Sequence, residues 1–109
     1  FHCSLMNKAT DIMSNELSKL KFKKGINTLI SNTTADEIFN ADELKDLLVK
    51  QIENRVRWRE SVINMINKEV NQFIEIGPGK VLSGLIKRIN KKAITSSINS
   101  IEEIEEIKI

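Results

Sequence analysis

The chain holds one cysteine, Cys3, one histidine, His2, one tryptophan, Trp58, and no apolar run long enough to span a membrane. Each scarcity closes a class of function. A single cysteine cannot form an internal disulfide and no stretch reads as a signal peptide, which points to a reducing, cytoplasmic home. Adjacent residues on a strand or turn point apart, and no further His or Cys stands beside His2 and Cys3 to complete a ligand set, so metal binding is set aside. Charge of one sign is missing too. The 17 Lys and Arg against 15 Asp and Glu leave +2, and the signs are interspersed, so the field is too weak to call for nucleic acid. Trp58 sits among Arg55, Arg57 and Arg59, but one aromatic is too little for a stacking platform. A tryptophan at a helix start, packed on the core with arginines snorkelling around it, is the simpler reading.

What is present is an alternation of helical and extended patterns in 109 residues, 40% of them hydrophobic, enough for one domain or a piece of one. Leu5, Ala9, Ile12, Met13, Leu17 and Leu20 recur at three and four and predict a first helix from Ser4 to about Leu20. "INTLIS", residues 26–31, reads as a short strand. Residues 31–40 are polar and turn-rich until Asn40, which with Glu43 makes a capping box for a helix carrying Leu44, Leu47, Leu48 and Ile52. After a break at Asn54 and Arg55, Trp58, Val62, Met65, Ile66 and Val70 mark a third helix. "QFIEI" is a second strand, Gly77-Pro78-Gly79 breaks it, and Leu82, Leu85, Ile86 and Ile89 mark another helix. "AITSSI" reads as a third strand. "SIEEIEEIKI" closes the chain as a helix whose acidic residues form a solvated face beside Ile101, Ile104 and Ile107.

Strands separated by helices of this length imply parallel crossovers with helices over the sheet, an α/β fold class. Three short strands make a poor sheet on their own. The apolar opening "FHCSLM", where a natural terminus is usually polar and frayed, adds to the expectation that the chain is part of a larger domain.

Two places invite chemistry. His2, as the only histidine, takes any acid–base role near neutral pH; the plainer reading is a histidine left at a cut end. The Gly77-Pro78-Gly79-Lys80 turn opens a helix and offers backbone amides to a phosphate. It lacks both GxxxxGK[ST] and GxGxxG, and glycine and proline there serve first to turn the chain sharply from strand to helix.

Taken together, "FHCSLM", "ISN" at residues 30–32, "LVKQIENRVRW" and "FIEIGPGKVLSGLIKRI" resemble the malonyl-CoA:acyl carrier protein transacylases. These belong to an acyltransferase superfamily that includes acyltransferase domains of polyketide synthases. The likeness runs in order from one end of the chain to the other and is weakest over the last dozen residues. It implies an α/β-hydrolase-like acyltransferase fold, of which residues 1–109 are the C-terminal portion of one domain, a partial three-layer sheet with flanking helices. It implies a transferase of fatty acid biosynthesis that moves malonyl from coenzyme A to the phosphopantetheine thiol of acyl carrier protein. Malonyl-CoA is then a substrate and no cofactor is needed. By the same resemblance His2 is the base that takes a serine proton, and the main-chain carbonyl of Gln51 stands where a triad would place a carboxylate. The Gly-His-Ser-x-Gly elbow, the oxyanion-hole stretch and the malonyl-binding arginine of that family are not found in these residues, so the chain alone is expected to be inactive. An acyltransferase domain of a larger synthase, or a non-catalytic α/β binding module, are the alternatives. Neither nucleic acid nor membrane is expected as a partner.

Overall fold

The structure, a computed structural model, describes residues 1–107. Two compact units divide the chain, the first running Phe1–Asn64 and the second beginning at Met65.

In the first unit a single turn of 3-10 helix, Ser4–Met6, feeds α1 (Asn7–Ser18). Asn40 then starts α2 (Ala41–Lys50): its side-chain oxygen accepts from the Glu43 amide at 2.7 Å, and Glu43 Oε2 accepts from the Phe39 amide at 3.3 Å. The reciprocal bond of the expected capping box thus reaches one residue further back than the usual N-cap amide. α1 contacts α2, and α3 (Trp58–Asn67) carries the buried Ser61 and Val62. The division between the units falls in the last turn of α3.

The expected strand over 26–31 shrinks to Leu29–Ile30 (β1), which pairs antiparallel with Glu37–Ile38 (β2). β2 lies in a stretch whose composition reads as pure turn. A tight turn explains both facts: the Ser31 amide donates to the Asp36 carbonyl and the Ala35 amide to the Ser31 carbonyl, with Ala35 at φ 59°. That closure ends β1 early and folds the next few residues back alongside it.

The second unit holds a parallel pair. β3 (Gln72–Ile76) and β4 (Ile94–Ile98) run in register from Gln72 opposite Ile94 to Ile76 opposite Ile98, joined by α4 (Val81–Ile89). Phe73, Ile86, Ala93 and Ile98 are its buried apolar residues. The α/β class is therefore borne out, while the parallel crossover expected between successive strands is found only between β3 and β4. Among the described residues there are two two-stranded sheets, one antiparallel and one parallel. α5 (Ile101–Glu106) begins at Ser100, whose hydroxyl accepts from the Glu103 amide. The last two residues of the predicted terminal helix, Lys108 and Ile109, lie outside the described residues.

Glu75 on β3 reaches the start of α4. Its carboxylate accepts from the Ser83 amide at 2.8 Å, the Ser83 hydroxyl at 2.8 Å and the Leu82 amide at 3.1 Å. The Ser83 hydroxyl also lies 3.1 Å from that of Ser97 on β4. One acidic side chain thereby ties strand, crossover helix and returning strand. The bonds from Ser83, above all from its amide, hold the Glu75 carboxyl below the ordinary glutamate value of 4.5. A folded value below the unfolded one stabilises fully above the ordinary value and is lost as pH falls through the folded one. The Leu82 and Ser83 amides are expected to lose protection against hydrogen exchange, relative to their intrinsic rates, as pH falls below about 4.5, and to show no such step in Glu75→Gln. An identical pH response in the variant would show that Glu75 does not anchor the helix.

Candidate functional site

His2 lies immediately before the 3-10 turn, whose first hydrogen bond runs from the Met6 amide to the Cys3 carbonyl at 3.0 Å. Its backbone adopts φ 60°, a region that few non-glycine residues enter. That turn sends the side chain toward the far end of α2. There His2 Nδ1 is 2.7 Å from the main-chain oxygen of Gln51, the C-cap of α2, across 49 positions of sequence. A carbonyl oxygen only accepts, so Nδ1 carries the hydrogen and Nε2 keeps its lone pair. The ring is exposed and Gln51 half-buried. The arrangement is an oriented imidazole whose free nitrogen is competent to accept a proton from an alcohol or thiol brought beside it.

The structure therefore brings His2 and Gln51 together, and it leaves Cys3 apart as a free thiol. Among the described residues no three His, Cys, Asp or Glu side chains gather as a metal-binding group. A small cavity of about 90 Å³ in the same unit, lined in part by Lys23, Lys24, Asn40 and Leu44, includes neither member of the pair.

The Gly77 to Lys80 turn proves to be framework. Gly77 at φ 133° and Gly79 at φ 88° take backbone angles that side chains disfavour. Four of the amides a phosphate would seek are already used. Gly79 donates to Asn99 Oδ1 at 2.7 Å, Gly77 to the Ile98 carbonyl at 3.0 Å, and Leu82 and Ser83 to the Glu75 carboxylate. The anion that suits this helix N-terminus is built into the chain. Sequence reading missed Glu75 and Asn99 because both act across several residues, though an acidic residue two places before a Gly-Pro-Gly turn into a helix is a usable signal.

Nor are Arg55 and Arg57 free basic side chains. Arg55 and Arg57 each lie 3.4 Å from Glu60, and Arg57 also donates to the Thr34 carbonyl at 2.9 Å while its amide donates to the Asn32 carbonyl at 2.8 Å. Trp58 is half-buried at the start of α3, as expected, with its ring nitrogen buried. No helix among the described residues is long and apolar enough to cross a membrane.

No protein-family model matches the chain. The malonyl CoA-acyl carrier protein transacylase of Bacillus subtilis is 38% identical over 105 residues, covering 96% of the chain and 33% of that protein. The crystal structure of an acyl-carrier-protein-S-malonyltransferase from Bartonella henselae superposes with a TM-score of 0.90 at 39% identity, over 97% of the chain and 34% of that one. A type II PKS acyl-carrier protein in complex with its malonyl-transacylase matches with a TM-score of 0.86 at 33% identity, over 95% of the chain and 34% of that one. The chain spans about a third of the length of the relatives it matches.

Because a main-chain oxygen orients the ring, the side chain at position 51 is dispensable for it. Gln51→Ala is expected to leave the ¹⁵N signals of His2 those of an Nδ1–H tautomer. A switch to Nε2–H in that variant, or its presence in the parent, would contradict the assignment.

Proposed function

From the match in sequence and fold to about a third of the length of malonyl CoA-acyl carrier protein transacylases, we propose that this chain is the histidine-bearing C-terminal part of such an enzyme. Residues 1–109 belong to one acyltransferase domain, with the nucleophilic serine on a preceding part. The whole enzyme transfers malonyl from coenzyme A to the phosphopantetheine thiol of acyl carrier protein in fatty acid biosynthesis, in the cytoplasm. It needs no cofactor beyond its substrates.

The observation that carries this reading is the 2.7 Å contact between His2 Nδ1 and the Gln51 carbonyl. With Nδ1–H held by that oxygen, Nε2 takes the serine proton as the serine oxygen attacks the malonyl thioester carbonyl. The tetrahedral intermediate collapses with loss of the coenzyme A sulfur, which receives the proton from Nε2. The carrier thiol then gives its proton to Nε2 and attacks the serine ester carbonyl; as that intermediate collapses the departing serine oxygen takes the proton back from Nε2, a ping-pong sequence with two acyl transfers that restores both residues. A carbonyl stabilises the intervening imidazolium less than a carboxylate does. The negative end of α2, where this carbonyl sits, adds to it. The same transfer to a polyketide carrier is the second reading, favoured by the match to a type II PKS carrier complex.

Exposed apolar residues accord with a partial fold. Leu5 is 89% exposed, Ile12 67%, Ile76 80% and Val81 71%, and large apolar side chains gain roughly 1.5–3 kcal/mol each when buried.

In a malonyl-transfer assay the longer enzyme is expected to turn over, and its His2→Ala variant to lose roughly 10³-fold or more in kcat. The 109-residue chain alone is expected to show no turnover; transfer by it unaided would overturn the reading. Heated alone and followed by circular dichroism, it is expected to melt gradually, and a sharp cooperative transition would argue for a self-sufficient module instead.

A further inference from the structure

We propose that Asn54 is a positioning residue for the acyl transfer, acting through the Gln51 carbonyl that holds the His2 ring. The proposal rests on the reading of His2 as the base. α2 ends at Lys50, and the last carbonyls of a helix need partners from outside it. Asn54 supplies two to a single oxygen: its side-chain Nδ2 donates to the Lys50 carbonyl at 2.6 Å and its own amide to the same atom at 3.1 Å. The Glu53 amide reaches that oxygen at 3.3 Å, and the Ile52 amide donates to the Val49 carbonyl at 3.2 Å. Residues 52–54 thus turn back onto the carbonyls before Gln51 and pass over Gln51 itself. Its oxygen stays open, and the imidazole is the donor that meets it.

The placement also fixes direction. The peptide linking Gln51 to Ile52 is held by its own amide, that of Ile52, on the Val49 carbonyl at 3.2 Å; the Gln51 amide on the Leu47 carbonyl at 3.0 Å fixes the peptide before it, and the turn that Asn54 closes fixes the residues after it. Three residues further on, the Arg57 amide is fastened to the Asn32 carbonyl at 2.8 Å, so the exit of the turn is tied as well. Asn54 is itself exposed. An exposed amide with so short a bond to a helix-end carbonyl has a local task, and the nearest functional group that depends on this turn is the His2 acceptor. Without the side-chain bond the 51–52 peptide is freer to rotate, and a sub-ångström drift of its oxygen misdirects Nε2 from the proton it must take.

The experiment uses the full-length enzyme that carries this chain. Asn54→Leu keeps the side chain's shape and removes its donor. It is expected to lower kcat roughly ten-fold with KM for malonyl-CoA within about two-fold, the pattern of a lost transition-state arrangement. The ¹⁵N signals of the His2 ring are expected to move toward a mixture of tautomers. Asn54→Asp, equally isosteric and suited to an exposed site, is expected to behave alike and decides the matter where the leucine variant does not fold. Asn54→Ser, whose hydroxyl can bond the carbonyl four residues back, is expected to recover most of the rate. In a His2→Ala background the leucine variant should change the residual rate by less than about two-fold, because its effect runs through the ring. Wild-type kcat and ring signals in the variants would overturn the proposal. So would a loss of kcat and stability with the ring signals unmoved, which marks a plain helix cap. Full activity in His2→Ala would sink the underlying reading instead, and loss there with unaffected Asn54 variants would sink only this inference.

Discussion

The first unit is organised so that one imidazole nitrogen meets one main-chain oxygen. His2 Nδ1 and the Gln51 carbonyl are 2.7 Å apart although 49 positions separate them in sequence. The pairing depends on three local facts. Cys3 begins a 3-10 turn straight after the histidine, which brings His2 into the left-handed region at φ 60°. α1 contacts α2, so the start of one approaches the other. α2 is closed at Lys50, leaving the next oxygen unclaimed. A sparsely populated backbone angle persists only where the surrounding structure holds it, and here the 3-10 turn and the bond to Gln51 do so.

The second unit answers a different need with a similar economy of parts. Parallel strands require a crossover, and the crossover helix begins with orphan amides at the carboxyl ends of the strands. Many proteins leave those amides for a ligand. Here Glu75 fills the place from β3, and Ser83 passes the connection to Ser97 on β4. A charge-assisted bond at a helix start is among the stronger of its kind, so the Gly77 to Gly79 turn is locked rather than poised. That accounts for a motif with the look of a phosphate loop serving as a joint.

Much of this was legible in the residues. Asn40 with Glu43 announced the start of α2, the five residues of β3 matched their apolar run, and the spacing of Leu82, Leu85, Ile86 and Ile89 placed α4. The failures share a cause. β2 was missed and β1 overdrawn because the turn between them is held by backbone bonds and a positive φ at Ala35, a residue with no turn preference of its own. α1 was right in period, yet no residue of it is buried: the pattern shows which face is apolar without showing what covers it. The roles of Gln51 and Glu75 were invisible to spacing, the first because it is played by a main-chain atom, the second because the partner amides lie seven and eight residues on. Only resemblance to a known family pointed to Gln51.

Using a main-chain oxygen has consequences that a carboxylate would not. A side-chain carboxylate has rotamers to restrain and a desolvation cost to meet when it is drawn in behind an imidazole. A carbonyl at a helix terminus has no rotamers and, being uncharged, a smaller desolvation cost: its direction follows from the helix axis and the turn that ends it. What it lacks is full charge, and so it orients the ring better than it stabilises the imidazolium. The negative end of α2 supplies part of the difference without adding an ionisable group. Orientation in this site is thus a property of secondary structure. It is set by whichever residues fix the end of α2, and not by the side chain that happens to stand at position 51.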